Sequence, residues 1–194
     1  PVDGEVVRLK TREGRPCGFG FFHSRSLICV RVLSYSPDVM PDEAWLLEKI
    51  RAANRLRVVD LRLPETTDSW RVVHAESDGL SGLVVDKYGP VASIGLYSIG
   101  WFRRLAELER VLKEALGVER VVARTDERSA IMEGFRCDPP KSAGTVEVHE
   151  RETGYLVDLA GGHKTGFFLD QRDQRDLIAR LAKGRKVFDG MTYT

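Results

Sequence analysis

Long apolar runs are missing from this 194-residue chain. The best candidate, residues 80–96, is broken by Asp86, Lys87 and Pro90, so nothing approaches the ~20 apolar residues that span a bilayer. The first ten residues set Asp3, Glu5, Arg8 and Lys10 among isolated valines, which is not the pattern of a secretory leader. Cysteine is scarce. Cys17, Cys29 and Cys137 form no CxxC pair, and an odd, widely spaced set reads as reduced thiols in a cytoplasmic setting. Histidine is scarce too: His23, His74, His149 and His163 have no paired spacing for zinc, so no metal site is expected. No GxSxG elbow occurs, and the Gly-Gly-His-Lys-Thr stretch at 161–165 does not complete a GxxxxGK[ST] phosphate loop.

Charge of one sign is also lacking, with 30 Lys+Arg against 29 Asp+Glu. The balance is uneven along the chain: about +3 over residues 1–36, −5 over 37–159 and +3 over 160–194. Basic ends around an acidic middle have two readings, a nucleic-acid footprint or ordinary solvated surface. With 42% hydrophobic and 30% charged residues, the composition is that of a globular protein and excludes a disordered or fibrous chain.

Periodicity sets the expected elements. Residues 4–10, 17–22 and 27–33 read as short strands, and Gly18 and Gly20 inside the second mark a bulge or a sharp bend. Three such strands make a poor core of their own, so they read as the later part of a small barrel. Residues 41–57 predict a helix, and 64–69 a polar connector. Strands at 70–76, 83–88 and 91–97 predict a meander. Leu105, Leu108, Val111, Leu112, Ala115 and Leu116 form the apolar stripe of a helix over 101–116, stopped by Gly117. A strand near 119–123, a long loop over 125–145 and a hairpin from 145–149 to 155–159 follow. The predicted fold class is α+β, with one main helix on a central antiparallel sheet. The expected domains are 1–36, a helical linker 37–69, a central unit 70–160 and a further unit opening at 161–194.

The richest segment for chemistry is 161–175. Its glycines permit close backbone approach. Lys164, Arg172 and Arg175 can hold anions, Phe167 and Phe168 can stack on a flat ring, and Asp170 and Gln171 can read hydroxyls or amides. Its plainer reading is a loop and a salt-bridged helix capped by Asp170, running through Leu177, Ile178 and Leu181. Residues 186–189 read as a buried strand ending in Asp189, as where a doubly wound domain turns into a glycine loop.

Residues 71–89, from Arg71-Val72-Val73-His74 through Asp86-Lys87-Tyr88-Gly89, resemble the central-domain opening of the ribosomal RNA large-subunit cytosine-5 methyltransferases. Residues 162–172 with Arg175 resemble the same family's entry into its Rossmann-like methyltransferase domain, and Val187-Phe188-Asp189 with Thr192-Tyr193-Thr194 its first S-adenosylmethionine motif. Residues 4–33 are similar to the later strands of its RNA-binding PUA barrel. The resemblance implies an S-adenosylmethionine cofactor, a ribosomal RNA partner and no membrane. It implies cofactor contacts at Phe168, Asp170, Gln171, Asp189, Tyr193 and Thr194, and substrate contacts at Lys164, Thr165, Arg172 and Arg175. RNA contacts in the barrel are expected among Arg8, Arg25 and Arg31. It also implies chain missing at both ends and a nucleophilic cysteine expected beyond Thr194, which adds to cytosine C6 so that C5 can attack a methyl group. The rival readings are a non-catalytic RNA-binding adaptor and an enzyme of other chemistry carrying a PUA domain.

Overall fold

The computed structural model describes residues 1–161 and 166–190. Strands β1 (Val6–Lys10), β2 (Pro16–Phe22) and β3 (Val30–Ser34) form an antiparallel sheet in that order. Its register shifts at Phe19/Gly20. Gly18 and Gly20 are required there: a Cβ would lie 2.1 Å from the Ser34 carbonyl oxygen or 2.6 Å from that of Arg31. This sheet has little core of its own. Phe21 meets Trp101 edge-on at 4.9 Å, and both Phe21 and Leu33 belong to the main hydrophobic cluster.

Helix α1 (Glu43–Arg55) starts where Asp42 accepts the Trp45 N–H at 2.9 Å, and it buries Leu46, Ile50 and Ala53. A wide turn over Leu56–Asp60 extends it. The central sheet runs β4 (Ser69–His74), β5 (Leu83–Tyr88), β6 (Val91–Leu96), β7 (Arg120–Arg124). The expected meander is there, but the sheet is mixed rather than antiparallel: β7 lies parallel to β6. The reason is the connection. Helices α2 (Ile99–Arg103) and α3 (Leu105–Leu116) carry the chain back along the sheet, which returns the next strand in the same direction. The single helix expected over 101–116 is thus two, broken at Arg104, whose guanidinium holds Glu107 and the Pro41 carbonyl. Leu108, Val111 and Leu112 are buried against α1 and the sheet.

Four further expectations are corrected. Residues 125–145 are not all loop: Asp126 caps a helix α4 (Glu127–Glu133) through the Ser129 N–H. The hairpin β8 (Thr145–Glu150) and β9 (Thr153–Asp158) does not extend the central sheet. It lies across the face opposite the helices, and Val146, Val148, Val157 and Leu159 pack there on Tyr88, Val91 and Val122 in a second core. Helix α5 (Arg172–Ala182) has no side-chain cap. Asp170 sits one residue too early, inside a tight helical turn over Leu169–Gln171. Residues 187–189 are not a strand, and Val187 and Phe188 are exposed. A strand needs a neighbouring strand to pair with, and no sheet among the described residues includes this segment.

Candidate functional site

The hairpin covers only one end of the second face of the central sheet. Along the other end runs a cleft of about 1060 Å³. Val84, Gly95, Arg71 and Arg124 form its floor, and the chain from Phe167 to Arg172 forms one wall. Strand alternation explains the floor. Leu83, Val85, Ile94 and Ala123 point into the helical core, so their neighbours point the other way. Gly95 leaves room for the Tyr97 ring, whose edge lies 2.9 Å from where a Cβ would sit. Burial pushes the Tyr97 phenol above its ordinary pKa, so it is a neutral donor near pH 7.

The floor and rim hold arginines fixed by carboxylates. Arg71 lies opposite Asp86 in the β4–β5 register and donates from Nε at 2.8 Å and from Nη2 at 3.0 Å. Asp86 is fully buried, and its hydrogen bonds hold the guanidinium above its usual pKa. Arg57 binds both oxygens of Asp78, at 2.6 and 2.9 Å, and Asp78 also accepts the His74 N–H at 2.6 Å. Arg124 donates to the Leu159 carbonyl, and burial lowers its pKa.

The wall is pinned from beneath. The Tyr88 hydroxyl donates to the Phe167 carbonyl at 3.3 Å and lies 3.2 Å from the Phe167 N–H. Phe167 is buried against Tyr155, and the Arg175 guanidinium lies 4.5 Å over its ring. Arg175 clasps the buried Glu150 and donates to the Phe168 carbonyl at 3.0 Å.

Of the residues singled out in the sequence, the structure brings Phe168, Asp170 and Arg172 together in the cleft lining. Arg175 is turned away from it, and Gln171 is exposed beside it. Asp189 lies in the irregular chain after α5. Lys164, Thr165, Tyr193 and Thr194 lie outside the described residues. In the N-terminal sheet, Arg8 is exposed and rests 5.3 Å over Phe19, and Arg25 is exposed. Arg31 pairs at 3.0 Å with Glu133. Arg57, Arg71, Tyr97 and Arg124 were not singled out by the sequence reading. The available signal was a charged residue inside each of two apolar strands, Arg71 in Trp70-Arg71-Val72-Val73 and Asp86 in Val84-Val85-Asp86.

Comparison with known proteins gives a consistent set. Residues 1–35 match a family model described as a PUA-like domain. Proteins named ribosomal RNA large subunit methyltransferase I match from Erwinia tasmaniensis, at 31% identity over 98% of this chain and 49% of theirs, and from Shewanella amazonensis, at 32% over 100% and 50%. A ribosomal RNA large subunit methyltransferase of Deinococcus radiodurans is 30% identical over 98% of the chain and 49% of its own length. Among solved structures, one assigned as a methyltransferase and crystallised with SAH superposes at a TM-score of 0.71. It is 16% identical and covers 90% of this chain and 45% of that one. A structure assigned as a SAM-dependent methyltransferase from Streptococcus mutans gives 0.70, with 91% and 46% covered. The chain spans about half the length of the curated relatives it matches.

Proposed function

We propose, for a chain that belongs by sequence to the ribosomal RNA large-subunit methyltransferase family, that it is the RNA-engaging half of an S-adenosylmethionine-dependent enzyme making 5-methylcytosine in large-subunit ribosomal RNA. In this reading the cleft between the central sheet and residues 167–172 is where the target base meets the cofactor. The observation that carries it is the convergence of Phe168, Asp170 and Arg172 with Tyr97 and Arg71 in one lining. These groups are what a nucleotide site uses: an aromatic wall, a carboxylate and a phenol for hydroxyls and amides, and guanidiniums for phosphate.

The lining also fits one side of an adenosyl cofactor, since Phe168 offers an apolar wall beside the Asp170 carboxylate. The bound cofactor supplies an electrophilic methyl group. Residues of this chain hold and orient the base and exclude water, and for a positioned reaction that alignment is worth several kcal/mol of the barrier. Cytosine C5 becomes nucleophilic only after a thiolate adds at C6. None of Cys17, Cys29 and Cys137 lines the cleft, and burial pushes the Cys137 thiol up, away from the thiolate. The nucleophile is therefore assigned to the part of the family's length that this chain does not span.

The test is methyl transfer from radiolabelled S-adenosylmethionine to unmodified large-subunit ribosomal RNA by the complete gene product. The expected result is incorporation at one cytosine C5, reduced at least tenfold in folded Phe168→Ala. RNA binding without incorporation would overturn the enzyme reading and leave an adaptor.

A further inference from the structure

The cleft holds two guanidiniums that are locked in place and only partly used. Asp86 takes the Nε and Nη2 donors of Arg71. A guanidinium has five N–H donors, so this side-on pairing leaves both Nη1 donors and one Nη2 donor, and among the described residues no acceptor takes them. The Arg71 side chain is 39% exposed while its partner is fully buried, so the charge is presented and its anchor is not. Arg57 is also held by a carboxylate but is more enclosed, its side chain 12% exposed beside an 8%-exposed Asp78. Asp78 and the Ala53 carbonyl take Nη1, and Asp78 takes one Nη2 donor. Nε and the second Nη2 donor remain. Both arginines line the same cleft, and the Tyr97 ring beside Gly95 lines it with them.

A stability role explains these pairs poorly. Burying a carboxylate to hold an arginine is roughly neutral or unfavourable against an apolar pair of the same volume. What the arrangement does supply is two cations whose direction is set before a ligand arrives, which lowers the ordering cost of binding an anion. Guanidiniums and an aromatic ring lining one groove suit a single-stranded nucleic acid, with phosphates on the guanidiniums and a base on the ring. Ligand pockets usually run ~300–1,000 Å³, so a cleft of about 1060 Å³ has room for a nucleotide unit.

We infer that Arg71 and Arg57, held by Asp86 and Asp78, grip successive phosphates of single-stranded RNA flanking the target nucleotide. The inference rests on the methyltransferase reading for what the strand is, but its test does not use methyl transfer. Arg71→Gln alone would strand a buried carboxylate, so the pair is neutralised together as Arg71→Gln/Asp86→Asn, and separately as Arg57→Gln/Asp78→Asn. Both leave net charge unchanged. The control is Arg51→Gln/Glu114→Gln, an exposed ion pair between α1 and α3, away from the cleft.

Binding of a fluorescein-labelled oligouridylate of about 12 nucleotides is measured for the full chain against salt concentration, after thermal melting shows which variants fold. Each cleft pair should lower the magnitude of the slope of log K on log salt by about 0.7, and affinity at 0.1 M salt by about fivefold. The control should match wild type. A folded variant of either cleft pair with wild-type slope and affinity overturns the assignment for that arginine, as does a wild-type chain that binds no oligouridylate. Neither result touches the methyl-transfer assay of the complete gene product. If one pair does not fold, the other decides.

Discussion

Arg31 in β3 and Glu133 at the end of α4 meet at 3.0 Å, across 102 residues of sequence, with the carboxylate 3% exposed. The same carboxylate accepts the Ile99 N–H at 3.0 Å, at the start of α2. Beside it, His23 Nδ1 accepts the Arg25 and Ser26 N–H groups, so its Nε2 carries the proton and donates to the Glu133 carbonyl at 3.2 Å. One acidic residue thus ties the N-terminal sheet to the central unit. That sheet has little core of its own, so the tie is part of how it stays folded.

Arg31→Ala should therefore act on stability. It leaves Glu133 buried without its partner, a loss of about 3–5 kcal/mol. Denaturant unfolding should show it, and Arg31→Ala/Glu133→Ala should recover part of the loss. A midpoint at the wild-type value in the single variant would show that the pair is not formed.

Arg8 and Arg25 differ from Arg31 in being exposed, which leaves them available to phosphates. Removing a true contact should reduce the salt slope of RNA binding by about 0.7–0.9. Arg8→Gln/Arg25→Gln with an unchanged slope would make this sheet a purely structural module.

Leu108 and Leu112 are both fully buried between α3, α1 and the sheet. Truncation of either to Ala should cost about 2–5 kcal/mol, from lost transfer energy plus the cavity left behind. The unfolding midpoint is the measurement, and a shift under about 0.5 kcal/mol would contradict the packing.

Asp170 and Arg175 should separate site from scaffold. Asp170 is exposed and caps no helix, so Asp170→Ala should stay within about 0.5 kcal/mol of wild-type stability, not the ~1 kcal/mol of a lost cap, while lowering methyl transfer by the complete gene product. Arg175→Ala strands the 6%-exposed Glu150 and should cost about 3–5 kcal/mol. The reverse pattern would exchange their roles.

Asp158 ends β9 and accepts the Gly161 and Ala160 N–H groups, at 3.0 and 2.8 Å. These hydrogen bonds hold its carboxyl below the ordinary 3.8. A depressed folded pKa gives stability that is present above the unfolded value and lost as pH falls through the folded one. Asp158→Asn keeps the acceptor and removes the charge. Its melting temperature should lie below wild type near neutral pH, and the gap should close below about pH 3.8. A gap independent of pH would show that the charge contributes nothing.

Much of the secondary structure was legible from residue order, because it depends on neighbours a few positions apart. The alternation at 83–88 and 91–96, the stripe from Leu105 to Leu116 with Gly117 behind it, and the glycine bulge in β2 are local signals, and the structure follows them. The family was also legible, in the order of motifs from residues 71–89 to 162–175. What the sequence left open depends on distant parts of the chain. The direction of β7 follows from a helical crossover. The separation of the hairpin follows from which face of the sheet still had apolar surface to cover. The site residues divide for the same reason. An arginine at 172 or at 175 is the same long cation in sequence, and only packing turns Arg172 toward the cleft and Arg175 onto Glu150. Arg71 and Asp86 are charged residues in apolar strands, and it is the β4–β5 register, set by the turn at 79–82 and by the bulge, that makes them one pair on the cleft floor.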